Sequence, residues 1–140
     1  MIDIRCETLL DYTAIAEVNT LAFGQENEAQ LVEKIRYSDR YISELSLVAE
    51  VENVVVGHIL FSYIDLMGEE TLQVLSLAPL AVHPQFQRQG IGSALIKAGL
   101  EIAEAKKEVI IIVLVQLGVN KHTISNGARA WNTILLTFDF

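Results

Sequence analysis

The stretch from Leu72 to Val115 constrains the fold more than any other part of the chain. Leu72 to Val82 is apolar and suited to a strand, and Ile91 to Lys107 repeats its apolar residues at helical spacing. Val109 to Val115 is an uninterrupted apolar run, read as a central strand buried on both faces. A strand, a helix and a second strand in that order form a right-handed crossover between parallel strands. Pro79 has no N–H to give to a ladder, so a bulge or splay is expected beside it. In the helix, Ile91, Leu95, Ala98 and Ile102 form the buried stripe, with Ala94 and Ala105 packed closely. Lys97, Glu101, Glu104 and Lys106 face outward, and Lys106-Lys107 suits the negative end of the helix dipole.

The flanking segments supply partners for this unit. Ile2, Ile4 and Cys6 alternate with Asp3, Arg5 and Glu7, a half-buried strand in which Cys6 is expected to be a buried structural thiol. A helix follows with Ile15, Val18, Leu21 and Ala22 on one side, stopped by Gly24. Glu28 to Arg36 reads as a second helix facing inward through Leu31, Val32 and Ile35. Leu45 to Glu50 and Val54 to Phe61 form a hairpin across Glu52-Asn53, and Met67-Gly68-Glu69-Glu70 is the next turn. The apolar end from Trp131 to Phe140 is compatible with a last strand.

Composition narrows the class. The chain has 140 residues, 51% of them hydrophobic, enough for one α/β domain over 1–140 with a substantial core. A single Cys rules out an internal disulfide framework and a CxxC metal site. His58, His83 and His122 share no ligand spacing, so no metal is expected. The net charge of −8 repels a long polyanion, which argues against nucleic-acid binding, but a small phosphate ligand held by backbone amides is compatible with it. The N-terminus lacks a basic region followed by a long apolar stretch, and Val109 to Val115 is far shorter than the roughly 20 residues of a membrane span. No membrane association and a cytoplasmic location are therefore expected.

The chemistry concentrates in Leu80-Ala81-Val82-His83-Pro84-Gln85-Phe86-Gln87-Arg88-Gln89-Gly90-Ile91-Gly92-Ser93-Ala94-Leu95. A glycine-rich turn lies there between a strand end and a helix start. Free amides at a helix N-terminus converge and carry the positive end of the dipole. Amides from Arg88 to Ser93 are placed to wrap a diphosphate, with Gly90 and Gly92 leaving the backbone bare and Arg88 adding a charge at the mouth. The other reading is a tight turn whose glycines serve helix–strand packing. The dinucleotide fingerprint G-x-G-x-x-G fails because Leu95 occupies the third glycine position, and no Gly-Lys-Ser/Thr follows as in a P-loop.

Gln87-Arg88-Gln89-Gly90-Ile91-Gly92 resembles motif A of the GNAT superfamily of N-acetyltransferases, Gln/Arg-x-x-Gly-x-Gly/Ala, and Leu80 to Pro84 resembles the strand end before it. Ser43 to Phe61 is similar to the hairpin of the YhbS-type acetyltransferases, and the likeness runs over about residues 1 to 115. The resemblance implies a mixed central sheet with a splayed parallel strand pair and flanking helices. It implies that acetyl-CoA lies between Leu72–Val82 and Val109–Val115, its pantetheine arm along the backbone of Leu80, Ala81 and Val82. Gln87, Arg88, Gln89, Gly90, Ile91, Gly92 and Ser93 would then hold its diphosphate. The implied reaction is direct attack by an amine of a small molecule or peptide on the thioester; a catalytically weak acetyl-CoA-binding module is the alternative. A phosphate-binding protein that merely shares the turn is a third reading.

Catalytic residues do not carry over. The strand from Leu72 to Val82 holds no carboxylate; Ser76, His83, His58, His122, Glu26 and Glu28 are the polar candidates, each with an ordinary structural reading beside it. Related enzymes follow the fifth strand with a Tyr-Tyr-x-x-Phe-Gly-Phe-like helix whose tyrosine often acts as the acid. This chain has no Tyr after Tyr63, so residues 115–140 form an atypical tail, shortened or altered. One account is translation out of frame: codons for Lys121 to Gly127, read from each third base, permit Ala-Tyr-Tyr-x-Gln-Trp-Gly. Trp131, Leu135, Leu136, Phe138 and Phe140 are expected either to fill the core or to pair with a second copy in a homodimer.

Overall fold

Alternating apolar positions in the hairpin feed two different layers. In the computed structural model, which describes residues 1–107, 110–114 and 133–137, they lie in a six-stranded sheet with helices on both faces. The elements are β1 (Ile2–Cys6), α1 (Tyr12–Phe23), α2 (Asn27–Arg36), β2 (Tyr41–Val51), β3 (Val54–Leu66), β4 (Leu72–Val82), α3 (Ile91–Ala105), β5 (Ile110–Leu114) and β6 (Thr133–Thr137). Strand order follows chain order. β1 to β4 pair antiparallel, whereas β4 with β5 and β5 with β6 pair parallel. Leu45, Leu47, Ala49, Ile59, Phe61, Leu75 and Leu77 pack under Ile91, Leu95 and Leu100 of α3. Val48 and Leu60 point the opposite way, onto Ile15 of α1 and Val32 of α2.

Local chemistry explains the element ends. Glu52 and Asn53 both take positive φ, 50° and 64°, the pair of left-handed residues that matches a two-residue hairpin turn to strand twist. The hairpin outruns the apolar signal: β2 and β3 extend to Tyr41 and Leu66, past the expected Leu45 and Phe61. Arg40 holds Asp65 through two hydrogen bonds of 3.0 and 2.9 Å beside the Tyr41–Ser62 pair. Polar residues in an extension of this kind break the apolar pattern without breaking the ladder.

Four expected core positions lie elsewhere. Cys6 is exposed at the end of β1, which among the described strands pairs on one side alone, with β2. Leu21 and Leu31 are also exposed; the buried stripe of α1 is Ile15, Val18 and Asn19, and that of α2 is centred on Val32. Ala105 is exposed at the last turn of α3, while Gly99 in mid-helix is buried. A Cβ on Gly99 would sit 2.1 Å from the Phe61 ring, so the absence of a side chain lets α3 lie down on β3. Val109, Val115, His122, Trp131, Phe138 and Phe140, and the whole Lys121 to Gly127 segment, lie outside the described residues.

Gly99→Ala is expected to lower stability by about 1–3 kcal/mol through overpacking, although alanine has the higher helix propensity. Urea unfolding measures it. Phe61→Leu in the same chain should recover part of the loss, and a Gly99→Ala protein as stable as the parent would refute the close-packing account.

Candidate functional site

β4 cannot pair evenly along both edges. On its β3 side, Ile59 faces Leu80 and Phe61 faces Leu77, so β4 carries one extra residue in the segment holding Pro79. On its other side the described ladder with β5 consists of Leu75–Ile110 and Ser76–Ile111. β5 continues to Leu114 paired with β6, so the sheet forks beyond Ser76. Ser76, half-buried, stands at the base of the fork.

The upper wall of the fork presents backbone. His83 N–H donates to the Val56 carbonyl at 2.8 Å, which makes that facing pair hydrogen-bonded. Ladder alternation then turns the N–H and C=O groups of Leu80 and Val82 away from β3 and toward the fork, while Ala81 bonds back to His58. The Val82 carbonyl is taken by Gln87 Nε2 at 3.1 Å. The geometry therefore separates two roles in the Leu80–Val82 stretch: Leu80 and Val82 face the fork, and Ala81 does not.

Above the fork the chain turns through Pro84–Phe86 and enters α3. Arg88 and Gly90 adopt positive φ, 63° and 84°. The turn brings consecutive amides to one side, and among the described residues no protein group accepts from the N–H groups of Arg88, Gln89, Gly90, Ile91, Gly92 or Ser93. The first intrahelical donor is Ala94, to Gly90 at 3.0 Å. Gly90 has open space around it and Gly92 rests on Leu80 and Val82. Arg88 is exposed at the mouth. Six free amides at the positive end of a fifteen-residue helix make an anion cradle beside the fork.

The remaining sequence candidates are placed by ordinary contacts. His83 Nδ1 accepts from Gln85 N–H at 3.1 Å and its ring meets Phe86 edge-on, so it belongs to the turn. Glu28 accepts from Gln25 Nε2 at 3.0 Å, and Glu26 is exposed at the start of α2. Among the described residues no group of three or more His, Cys, Asp or Glu is placed to hold a metal, and no helix is long and apolar enough to cross a membrane.

A polar cluster that the sequence reading missed lies under α1 and α2. Glu7, almost fully buried, receives Arg36 Nη2 at 2.8 Å and the Tyr41 hydroxyl at 2.6 Å, and nearby Ser46 also favours its charged form. Burial opposes the charge on Glu7, but these donors together outweigh it and hold the carboxyl below its ordinary range. The Arg36 guanidinium lies 3.7 Å from the Tyr12 ring centroid. Next along the sheet, His58 is buried with Nε2 3.0 Å from Ser46 Oγ and Nδ1 3.4 Å from Asn19 Nδ2. Burial pushes its pKa down to about 4. The one available signal was Asn19, a polar residue four positions after Ile15 on an otherwise apolar helix face. A cleft of about 300 Å³ between α1 and α2, lined by Tyr12, Glu33, Arg36 and Tyr37, lies at the end of the helix pair away from the Gly24–Glu26 connection.

Comparison with known proteins bears on this geometry. The profile of the acetyltransferase (GNAT) family matches residues 12–125. The Escherichia coli K12 protein YjhQ, an uncharacterized N-acetyltransferase, is 42% identical over 92 residues, covering 65% of this chain and 51% of its own. YhbS of the same strain, also an uncharacterized N-acetyltransferase, is 36% identical over 99 residues, covering 70% and 58%. The chain thus spans between half and three-fifths of the curated relatives it matches. A GNAT family acetyltransferase from Brucella melitensis, solved in complex with acetyl-CoA, superposes with a TM-score of 0.77 at 30% identity, over 91% of this chain and 82% of that one. YhbS from Escherichia coli, solved with CoA, gives 0.69 at 32% identity over 76% and 58%.

The buried neutral His58 sets a pH dependence. Its folded pKa lies below the unfolded value of 6.5, so the unfolded chain binds the extra proton and stability falls as pH drops from about 6.5 toward 4. Between about pH 7 and pH 5 the loss from this group is on the order of 2 kcal/mol. Urea unfolding at the two pH values should show it, and His58→Gln should flatten the difference; an unchanged difference would remove His58 as its source.

Proposed function

Because the chain belongs to the GNAT family of acetyltransferases, we propose that it transfers an acetyl group from acetyl-CoA to the amino group of a small molecule or peptide. The observation that carries this reading is the set of unpartnered amides from Arg88 to Ser93 at the mouth of the β4–β5 fork. The residues present fit the group. The amides and Arg88 suit a diphosphate, and the Leu80 and Val82 backbone suits an extended amide-bearing arm that pairs like an added strand. Gln87 serves the site indirectly, by occupying the Val82 carbonyl. When bound, acetyl-CoA supplies the activated acyl carbon and a thiolate leaving group.

The acceptor's nitrogen forms the new amide bond as the carbon–sulfur bond breaks, and the nitrogen's proton must leave. β4 carries no carboxylate for that purpose. This favours an acceptor already partly neutral, such as an α-amine with a pKa of about 7.7–8.0 rather than a lysine at about 10.4. A second reading, an acetyl-CoA-binding protein without turnover, is supported by the lack of any tyrosine after Tyr63.

Calorimetry with acetyl-CoA, alongside thiol release over a panel of α-amines and lysine derivatives, tests both. The first reading expects binding and thiol release, faster with α-amines; the second expects binding alone. Gly90→Ala should weaken acetyl-CoA binding at least about tenfold, since a Cβ strains the left-handed backbone that aims the amides. Failure of the parent chain to bind acetyl-CoA would overturn both readings.

A further inference from the structure

The hydrogen bonds under α1 have a direction. Asn19 Nδ2 donates to the Ile15 carbonyl at 2.9 Å, which fixes the amide, because the reverse orientation would set two carbonyl oxygens against each other. The second N–H of Nδ2 then points to His58 Nδ1, 3.4 Å away, so Nδ1 is the accepting nitrogen and Nε2 carries the proton. Nε2 donates to Ser46 Oγ at 3.0 Å, which leaves the Ser46 hydroxyl hydrogen for the Glu7 side, where Ser46 favours the charged carboxylate. Every donor in the series Asn19, His58, Ser46 points toward the Glu7 carboxylate. The acceptor left over is at the opposite end: Asn19 Oδ1, fully buried, receives no hydrogen bond from any group among the described residues.

That end of the series lies toward the fork. α1 starts beside β1, where Asp11 binds Arg5, passes over Val48 and Leu60 at Ile15, reaches β3 at Asn19, and packs on β4. An acceptor polarised by aligned bonds and shut away from solvent is costly to leave unmatched. We propose that Asn19 is a positioning residue: Oδ1 holds one buried water, and the series anchored on Glu7 through Ser46 and His58 fixes the last turns of α1 against the strand that borders the fork. A single water satisfies such an acceptor where no side chain reaches it. Its effect on turnover rests on the acetyl transfer proposed above, and falls on the acceptor amine, because α1 lies on the face of the sheet opposite α3 and its amide cradle.

Two measurements on the full chain decide it. A high-resolution crystal structure should place a water within about 3 Å of Asn19 Oδ1; an amide rotated the other way, or an oxygen touching only carbon, overturns the proposal whatever the activity. Steady-state kinetics of Asn19→Leu should raise KM for the amine about tenfold or more, as misplacement of a binding element does, with acetyl-CoA affinity within about twofold of the parent. Ser46→Ala, which breaks the series two links away and leaves Asn19 intact, should shift KM the same way by less, and it serves alone if Asn19→Leu does not fold. Lower stability with both substrate constants unchanged would reduce Asn19 to a packing residue and overturn the proposal. Loss of acetyl-CoA binding in the parent chain would instead sink the acetyl-transfer reading and leave the water to be judged by the crystal structure.

Discussion

The strand pair β4–β5 cannot close, and the rest of the site depends on that. Pro79 removes an N–H, and the extra residue beside it bends β4 out of register with β3 while its parallel neighbour leaves after Ser76. Leu80 and Val82 therefore turn bonding groups into the fork, where among the described residues only the Val82 carbonyl has a protein partner, Gln87. A gap of this kind would invite collapse if its walls could move. They are held from one face: α3 is seated with Ile91 and Leu95 against Gly57, and Gly99 lets the helix descend onto Phe61. The first turn of α3 is thereby fixed over the fork with its amides unspent.

The other face of the sheet is organised by charge. Glu7 and Arg36 lie out of water, where a lone ion is heavily penalised, and each is matched by the other together with Tyr41 and Ser46. The cluster joins β2 and α2 to the segment after β1, and its hydrogen bonds extend through His58 to α1. Apolar packing supplies most of the driving force for these layers but does not specify direction. The aligned bonds do, and they set how α1 lies across β3 and β4. The overall charge of −8 has no part in this, because the cradle uses backbone dipoles and the cluster uses matched ions.

Much of this was legible beforehand for a local reason. The crossover from Leu72 to Leu114, the left-handed turn at Glu52-Asn53, the irregularity at Pro79 and the bare turn around Gly90 each follow from residues adjacent in the chain. The misreadings have a common cause too. Cys6, Leu21, Leu31 and Ala105 were assigned to the interior by periodicity, which identifies a face of an element but not what covers it at each point. Gly99 gave no sign of its role, since its constraint is imposed by Phe61 from another element.

The sequence by itself determined the order of strands and helices, the place where β4 must break its ladder, and the bare glycine-rich turn before α3, because backbone geometry and missing N–H groups act within a few residues. Only the tertiary structure decided that Glu7, Arg36, Tyr41, Ser46, His58 and Asn19 converge beneath α1. These residues come from four elements and one connecting segment, none announces a partner by spacing, and a buried carboxylate is tolerable only where separate segments bring their donors to it at once.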